Sequence, residues 1–360
     1  MGRTVRAAVF VGPDRPLELR TFPLPSPGRG EVLVDIVACT LCGSDVHSYG
    51  GRRQVPTPTI LGHEILGRIA DFGPEAPRTD ALGQPLHLGD RVTWAIVASC
   101  GQCFYCLRNL PQKCLRGRKY GHQVLSGDDI WHGGLADVCL LVAGTAIFRI
   151  PERLPNAVAC PANCATATIA AALEAAGDVA RQNVLVMGAG MLGLTACAMA
   201  SAQRADHVLC CDLQATRREH AQRFGASTVC PPEELAREVR RLTAGHGVDV
   251  VLELTGATSA IESSLEQLRI GGTLVEVGAV FPVPALTLLP EKLVRHQWTL
   301  RGIHNYAPRH LAQGVAFLAE NFQQFPFEQL VNRWYRLDEA PAALQHAATG
   351  ECWRVGVTPR

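Results

Sequence analysis

Hydrophobic and polar positions alternate in short steps through the first third of the chain. The segments "VRAAVFV" (5–11), "EVLVDIVA" (31–38), "RVTWAIV" (91–97) and "LADVCLLV" (135–142) are β-branched or alternating runs, the pattern of strands. Punctuation such as "PLPSPGRG" and "DFGPEAP" separates them, and no helix-length periodic segment is expected before the Ala-rich "ATATIAAALEAAG" (165–177). From there the pattern switches. Short apolar strands, "NVLVMG" (183–188), "HVLCCD" (207–212), "VDVVLELTG" (248–256) and "GGTLVEVGA" (271–279), alternate with helical stretches over 191–204, 214–224, 233–244 and 257–269. Strand–helix alternation with continuously apolar strands predicts a parallel sheet covered on both faces.

Composition narrows the class. A chain of 360 residues can bury a sizeable core, and two domains are the natural expectation. With 47% apolar and 19% charged residues and a net charge of +1, no global field favours nucleic acid or an anionic membrane. The N-terminus shows no signal-peptide pattern, so a cytoplasmic protein is expected. The stretch 184–202 is apolar for about the length of a bilayer span, but Gly188, Ala189, Gly190 and Gly193 argue for a buried strand, a tight turn and a packed helix. Fourteen cysteines in a reducing compartment point to metal thiolates and buried thiols; Cys139, Cys197, Cys210 and Cys211 lie in apolar runs and are expected to pack as small hydrophobes.

Three motifs carry chemistry. Gly188, Gly190 and Gly193 form G-x-G-x-x-G directly after a strand and at the opening of a helix, and "HVLCCD" then ends in Asp212, nineteen residues past the last glycine. The glycines allow close pyrophosphate approach, and a carboxylate at Asp212 can accept from adenosine ribose hydroxyls while repelling a 2′-phosphate, so NAD is expected over NADP. The second motif is "CTLCGSDVH" with "LGHE": Cys42, Ser44, Asp45 and His47 within six residues, then His63 and Glu64. Thiolate and imidazole suit zinc, and "CPANCATAT" offers Cys160 or Cys164 as a third ligand. The third is "CGQCFYCLRNLPQKC", which holds Cys100, Cys103, Cys106 and Cys114 in fifteen residues.

Together with "GECWR" near the end, these residues resemble the zinc-dependent medium-chain alcohol dehydrogenase family over essentially the whole chain. The resemblance implies an α/β protein with two domains. A β-rich GroES-like catalytic domain with a structural zinc lobe would take 1–165 and 304–360. An NAD-binding Rossmann domain, a doubly wound parallel sheet, would take 166–303. It further implies two Zn2+ per chain: Cys42, His63 and Cys164 at a catalytic zinc, with Cys160 four residues away as the alternative to Cys164. Glu64 would sit beside that metal. Ser44 would touch the substrate oxygen, His47 would end the proton relay, and Asp45 and Arg354 would form a supporting pair, with Arg354 also near the cofactor pyrophosphate. Thr168 and Leu192 would pack on the nicotinamide side, and Arg217 would lie near the adenosine ribose. A catalytic metal needs an open coordination position and a four-thiolate set is closed, so the Cys100, Cys103, Cys106 and Cys114 cluster is the expected structural lobe.

The implied activity is reversible hydride transfer between a primary or secondary alcohol and NAD, giving an aldehyde or ketone, in a homo-oligomer (dimer or tetramer) that contacts neither membrane nor nucleic acid. A zinc-free quinone or enone reductase of the same fold and a catalytically silent NAD-binding protein are the alternatives. "KYGH" (119–122), "WHGG" (131–134) and "PANCA" (161–165) resemble a subgroup associated with phosphonate catabolism. Strand alternation would put Trp94 and Ile96 on one face, and the resemblance makes Ile96 a pocket residue. Arg53, in "HSYGGRRQVPTP", falls at a position where the family usually carries an apolar pocket residue; a guanidinium there suits a carboxylate, phosphate or phosphonate on the substrate, and the alternative is that Arg52 and Arg53 are solvated loop charges.

Overall fold

The sheet that matters most for the chemistry is mostly antiparallel and lies in the first of two units. A computed structural model describes residues 3–13, 15–127 and 129–359. The chain divides into one unit of residues 1–167, 307–323 and 327–360 and another of 168–306 and 324–326. In chain order the first unit contains β1 (Thr4–Phe10), β2 (Glu18–Pro23), β3 (Val32–Leu41), α1 (Gly43–Tyr49), β4 (Thr59–Ile60), β5 (Glu64–Phe72), β6 (Arg91–Trp94), β7 (Val97–Ala98), β8 (Arg118–Lys119), β9 (Val138–Leu141), β10 (Ile147–Arg149) and the short α2 (Asn156–Ala159). Helix α3 (Ala165–Ala176) leads out of it.

The second unit runs β11 (Asn183–Met187), α4 (Met191–Ala202), β12 (His207–Cys211), α5 (Ala215–Arg223), β13 (Thr228–Cys230), α6 (Leu235–Leu242), β14 (Val248–Glu253), α7 (Thr258–Leu265), β15 (Leu268–Glu276), α8 (Pro290–His296) and β16 (Thr299–Gly302). The chain then returns to the first unit with α9 (Pro308–Asn321), β17 (Val331–Arg336), α10 (Ala340–Thr349) and β18 (Arg354–Thr358).

In the first unit the strand order is β10-β6-β5-β3-β18-β17, and β9 also pairs with β3. β3 is antiparallel to β5, with Thr40 opposite Glu64, and β18 is antiparallel to β3, with Val355 opposite Leu41. The C-terminal end of β3 therefore lies beside the N-terminal ends of β5 and β18. That register brings Cys42, His63, Glu64 and Arg354 to one edge, although 312 residues separate the first from the last. Trp94, Tyr120, Phe10 and Phe148 are fully buried in this unit, and each such side chain contributes on the order of 2 kcal/mol.

The second unit has one wholly parallel sheet of order β13-β12-β11-β14-β15-β16. The order reverses between β11 and β14, the switch point at which such sheets bind nucleotides. β11 and the start of α4 divide the apolar stretch 184–202, and among the described residues no single helix is long and apolar enough to cross a membrane. All fourteen cysteines are free, with Cys139, Cys197, Cys210 and Cys211 buried as expected of small hydrophobes.

Several local expectations fail for identifiable reasons. β5 was not expected, yet every residue from Glu64 to Gly67 is buried between β3 and β6. A fully buried central strand loses the alternation that marks a half-exposed one. α1 interrupts the β-rich third with a single short helix, closed at its start by the Asp45 side chain on the Cys42 backbone N–H. The expected strand 91–97 stops at Trp94; Ala95 and Ile96 are buried beyond it and a new short strand begins at Val97, so alternation does not carry Trp94 and Ile96 to a common face.

Candidate functional site

The cluster at the edge of the first sheet grows from Cys42. This residue caps α1, and its N–H donates to Asp45 Oδ2 at 2.9 Å. The other carboxylate oxygen, Oδ1, accepts from Gly62 N–H at 3.1 Å and pairs with His63 Nδ1 at 3.2 Å. Against a carboxylate, Nδ1 is the donor, which leaves Nε2 with its lone pair for a metal. Gly62 is fixed by geometry: its φ is +87°, and a Cβ there would lie 2.5 Å from Cys39 Sγ.

Cys164 arrives from a turn between α2 and α3. Asn163 Nδ2 donates to the backbone oxygens of His63 (3.0 Å) and Trp94 (3.2 Å), tying the turn to β5 and β6. Cys164 Sγ then lies 3.8 Å from Cys42 Sγ. A tetrahedral zinc with bonds of about 2.3 Å spaces its sulfurs by about 3.8 Å. One ligand-type atom each from Cys42, His63, Glu64 and Cys164 falls within 4.8 Å of the others. Cys160, the sequence alternative, turns its thiol to the carbonyls of Ala38 (3.3 Å) and Glu64 (3.2 Å) and is fully buried. Between the two clustered sulfurs, the contact with Cys164 and the charge of Arg354 hold Cys42 well below the ordinary thiol range, while Cys164 is raised by the same contact and by burial.

Glu64 has its oxygens occupied. Thr40 Oγ1 donates to it at 2.6 Å, and Arg354 contacts it through Nε (3.0 and 3.2 Å) and Nη2 (3.1 Å). Burial raises the Glu64 carboxyl, and Arg354 opposes that shift. Arg354 spends its remaining donors on the Trp353 carbonyl (3.0 Å) and Cys42 Sγ (3.7 Å). The expected Asp45–Arg354 pair is therefore corrected: Asp45 serves His63 and Arg354 serves Glu64, because the β3–β5–β18 register puts Arg354 next to Glu64.

Ser44 and His47 lie three residues apart on α1, which puts them on one helical face, and both are half-buried. Burial and then the charge of Arg52 lower the His47 imidazole; Cys42 pulls the other way, and Arg53 adds a smaller lowering.

The four remaining metal-type cysteines form a separate cluster. Cys103 lies 3.5 Å from Cys106 and 3.8 Å from Cys114, and Cys114 lies 3.4 Å from Cys100. Apart from two single 3-10 turns (Cys106–Arg108 and Pro111–Lys113), the loop has no regular structure, and it exposes Phe104, Leu107 and Leu115. Such a loop lacks a core of its own and needs a cross-link to hold its shape. The Gln102 N–H is the main cause bringing the Cys100 thiol down to about 6, while burial first and the neighbouring thiols next push Cys106 up to about 11.

In the second unit Gly188 has φ +91°, and a Cβ on Gly193 would lie 1.8 Å from the Gly188 carbonyl oxygen. Gly190 caps α4 with open space where its side chain would be, so the first turn of α4 presents backbone N–H groups that no side chain caps. Asp212 accepts from Ala189 N–H at 2.7 Å and Gln214 N–H at 2.8 Å, at the end of β12 beside this loop. Arg218 holds the Asp212 and Leu213 carbonyls (2.8 and 3.0 Å), while Arg217, Thr168 and Leu192 are half-buried.

Three residues near the first cluster had no assigned role in the sequence. Asn163 sits inside "CPANCATAT" but signals nothing by type. His122 lies with its ring centre 5.4 Å from that of His63, and Arg53 Nη1 is 2.8 Å from its Nε2. Lys119, half-buried on β8, has its amine brought down to about 8, first by burial and then by Arg53.

Residues 28–152 match the alcohol dehydrogenase GroES-like domain and residues 192–320 match the zinc-binding dehydrogenase domain. The chain is 30% identical over 352 residues to 5-exo-hydroxycamphor dehydrogenase of Pseudomonas putida, covering 96% of both. It is 31% identical over 291 residues to L-threonine 3-dehydrogenase of Pyrococcus furiosus, covering 78% of both. Among solved structures it is similar to an alcohol dehydrogenase of Thermotoga maritima, with a TM-score of 0.94, 28% identity and full coverage of both chains.

Proposed function

The chain belongs to the zinc-dependent medium-chain alcohol dehydrogenase family, and from that membership we propose that it oxidises a primary or secondary alcohol reversibly to an aldehyde or ketone with NAD. As a member it is an oxidoreductase acting on CH–OH groups. The observation that carries the reading is the contrast between the two donor sets, one closed by four sulfurs and one with three ligands and an occupied carboxylate beside it. We assign one zinc to Cys42, His63 and Cys164 and a second to Cys100, Cys103, Cys106 and Cys114. When bound, zinc supplies Lewis acidity and NAD supplies the two-electron acceptor.

The chain's own residues do the rest. Asp45 fixes the His63 tautomer, and Arg354 with Thr40 engages both Glu64 oxygens, so a zinc held by Cys42, His63 and Cys164 would be left accessible to the substrate oxygen. Ser44 takes the alcohol proton and passes it towards His47, whose lowered pKa leaves its imidazole neutral and able to accept at neutral pH. The turn at Gly188, Gly190 and Gly193 receives the pyrophosphate at the α4 N-terminus, Asp212 takes the adenosine ribose with Arg217 nearby, and Thr168 and Leu192 flank the nicotinamide. Arg53, with Ile96, faces the substrate, and the substrate class is an alcohol that carries an oxyanion. A homo-oligomer is supported by β16, an edge strand whose four residues are all exposed. A cytoplasmic location fits fourteen free cysteines.

Elemental analysis together with NADH absorbance across a panel of neutral and anionic alcohols tests the proposal. Two zincs per chain and NAD-dependent turnover are expected, with Cys42→Ala abolishing turnover at one remaining zinc. Two zincs with no turnover on any alcohol would indicate a silent NAD-binding protein, and metal-independent reduction of quinones or enones would indicate a zinc-free reductase.

A further inference from the structure

Around the Cys42–His63–Cys164 cluster the anionic groups are spoken for. The Asp45 carboxylate is taken by His63 and two backbone N–H groups, and Glu64 by Arg354 and Thr40. A divalent metal would neutralise the two thiolates. Among the described residues neither Arg53 nor Lys119, each close enough for its charge to act on the other's surroundings, has a carboxylate within ion-pair distance. The chain as a whole is nearly neutral, at +1, so this is a local concentration of charge.

Both side chains are aimed. β8 pairs with β7, with Lys119 opposite Val97, and strand alternation sends Lys119 to the face away from its neighbours. Those neighbours point elsewhere: Arg118 reaches Asp129 and His132, and Tyr120 OH reaches Thr145 (2.6 Å). The charged groups that act on Lys119 are Arg53, the Cys164 thiol, Lys113 and the Cys42 thiol. Arg53 is held by His122. The His122 Nδ1 lies 2.9 Å from the Tyr120 carbonyl, which can only accept, so Nδ1 carries the proton and Nε2 is the acceptor for Arg53 Nη1 at 2.8 Å. One Nη1 proton is thereby fixed and the Nε–Nη2 edge stays available for bidentate pairing.

We propose that Lys119 and Arg53 together hold an oxyanion (carboxylate or phosphonate) on the substrate, with His122 as the positioning residue that aims Arg53. The proposal rests on the alcohol dehydrogenase reading and gives its substrate class a second cation and a fixed geometry. Two like charges converging at a half-buried site repel one another, and a bound anion relieves both at once.

Two measurements on the full-length, zinc-loaded enzyme separate this proposal from the reading beneath it. The first is calorimetric binding of propylphosphonate and butyrate, which cannot react. Wild type should bind them; Lys119→Met and Arg53→Met should each weaken binding about tenfold or more, and Lys119→Arg should retain it. The stronger of the two ligands identifies phosphonate or carboxylate as the preferred anion. The second is the ratio of kcat/KM for 3-hydroxypropylphosphonate and 4-hydroxybutyrate to that for 1-butanol. Lys119→Met should lower that ratio about tenfold or more. His122→Phe should raise KM for the anionic alcohols more than it changes kcat, and His122→Gln, which restores an acceptor for Arg53, should recover it. Absence of anion binding to wild type, or equal losses on charged and neutral alcohols, overturns the proposal. Turnover of 1-butanol without anion binding leaves the dehydrogenase standing and the clamp refuted. Anion binding that depends on Lys119 and Arg53 without turnover of any alcohol does the reverse.

Discussion

Replacing Asp45 with Asn tests the architecture of the Cys42–His63–Cys164 site most directly. The carboxylate is 1% exposed and engages three nitrogens: Cys42 N, Gly62 N and His63 Nδ1. Asparagine has one acceptor oxygen. With that oxygen towards Gly62 and His63, its NH2 group faces the Cys42 N–H, donor against donor, and one charge-assisted bond of ~1.5–3 kcal/mol is lost. Turned the other way, the NH2 group faces His63 Nδ1, which then becomes an acceptor and puts the ring proton on Nε2, the atom a metal needs. In either orientation His63 is a poorer ligand. Loss of such a supporting carboxylate typically costs about 10–100-fold in metal affinity.

Competition with a chromophoric chelator reads this out, because the two zincs should be withdrawn in separate phases. In Asp45→Asn the more labile phase should move to lower chelator concentration by that factor. The zinc at Cys100, Cys103, Cys106 and Cys114, whose residues make no hydrogen bond with Asp45, serves as the internal control. Unchanged competition, or equal weakening of both zincs, would refute the reasoning.

Three further outcomes are expected. Arg354→Met leaves the fully buried Glu64 with only the Thr40 hydroxyl, so urea unfolding should show a loss of ~3–5 kcal/mol. The double variant Arg354→Met/Glu64→Gln should regain at least about 1 kcal/mol of it, and additive losses would mean the two groups are not coupled. Asp212→Ser removes the carboxylate that opposes a 2′-phosphate near Arg217 and Arg218, so initial rates should shift towards NADP by ~1–3 kcal/mol of discrimination; a wild type that already prefers NADP would contradict the assignment. The lowered His47 imidazole takes up its proton at lower pH than an ordinary histidine, so alcohol oxidation should fall off on the acid side. Arg52→Gln removes one of the charges responsible and should move this limb to higher pH, less so in high salt, while His47→Gln should abolish it.

Where the ligating chemistry depends on near neighbours, the sequence was sufficient. Cys100 to Cys114 close a cluster within one loop, Gly188 to Gly193 open a helix directly after a strand, and Cys42, Asp45 and His47 share one turn and one helix. Spacing along a chain constrains distance in space at that range, so the residues of each motif come together. The alternating strands and strand–helix units were legible for the same reason, since each reflects a local period. Tertiary structure decided everything that depends on register between distant segments. The antiparallel pairing of β3 with β5 and β18 assigned Asp45 to His63 and Arg354 to Glu64, and Asn163 brought Cys164 rather than Cys160 to the cluster. The first half of β5 carries no strand signal because burial on both faces from Glu64 to Gly67 erases alternation. Arg53 and His122 meet because a backbone carbonyl fixes the His122 tautomer, and a two-residue strand carries Lys119 within range of their charges. A hydrogen bond selects a partner by angle and distance, and a one-dimensional pattern encodes neither across seventy residues of chain.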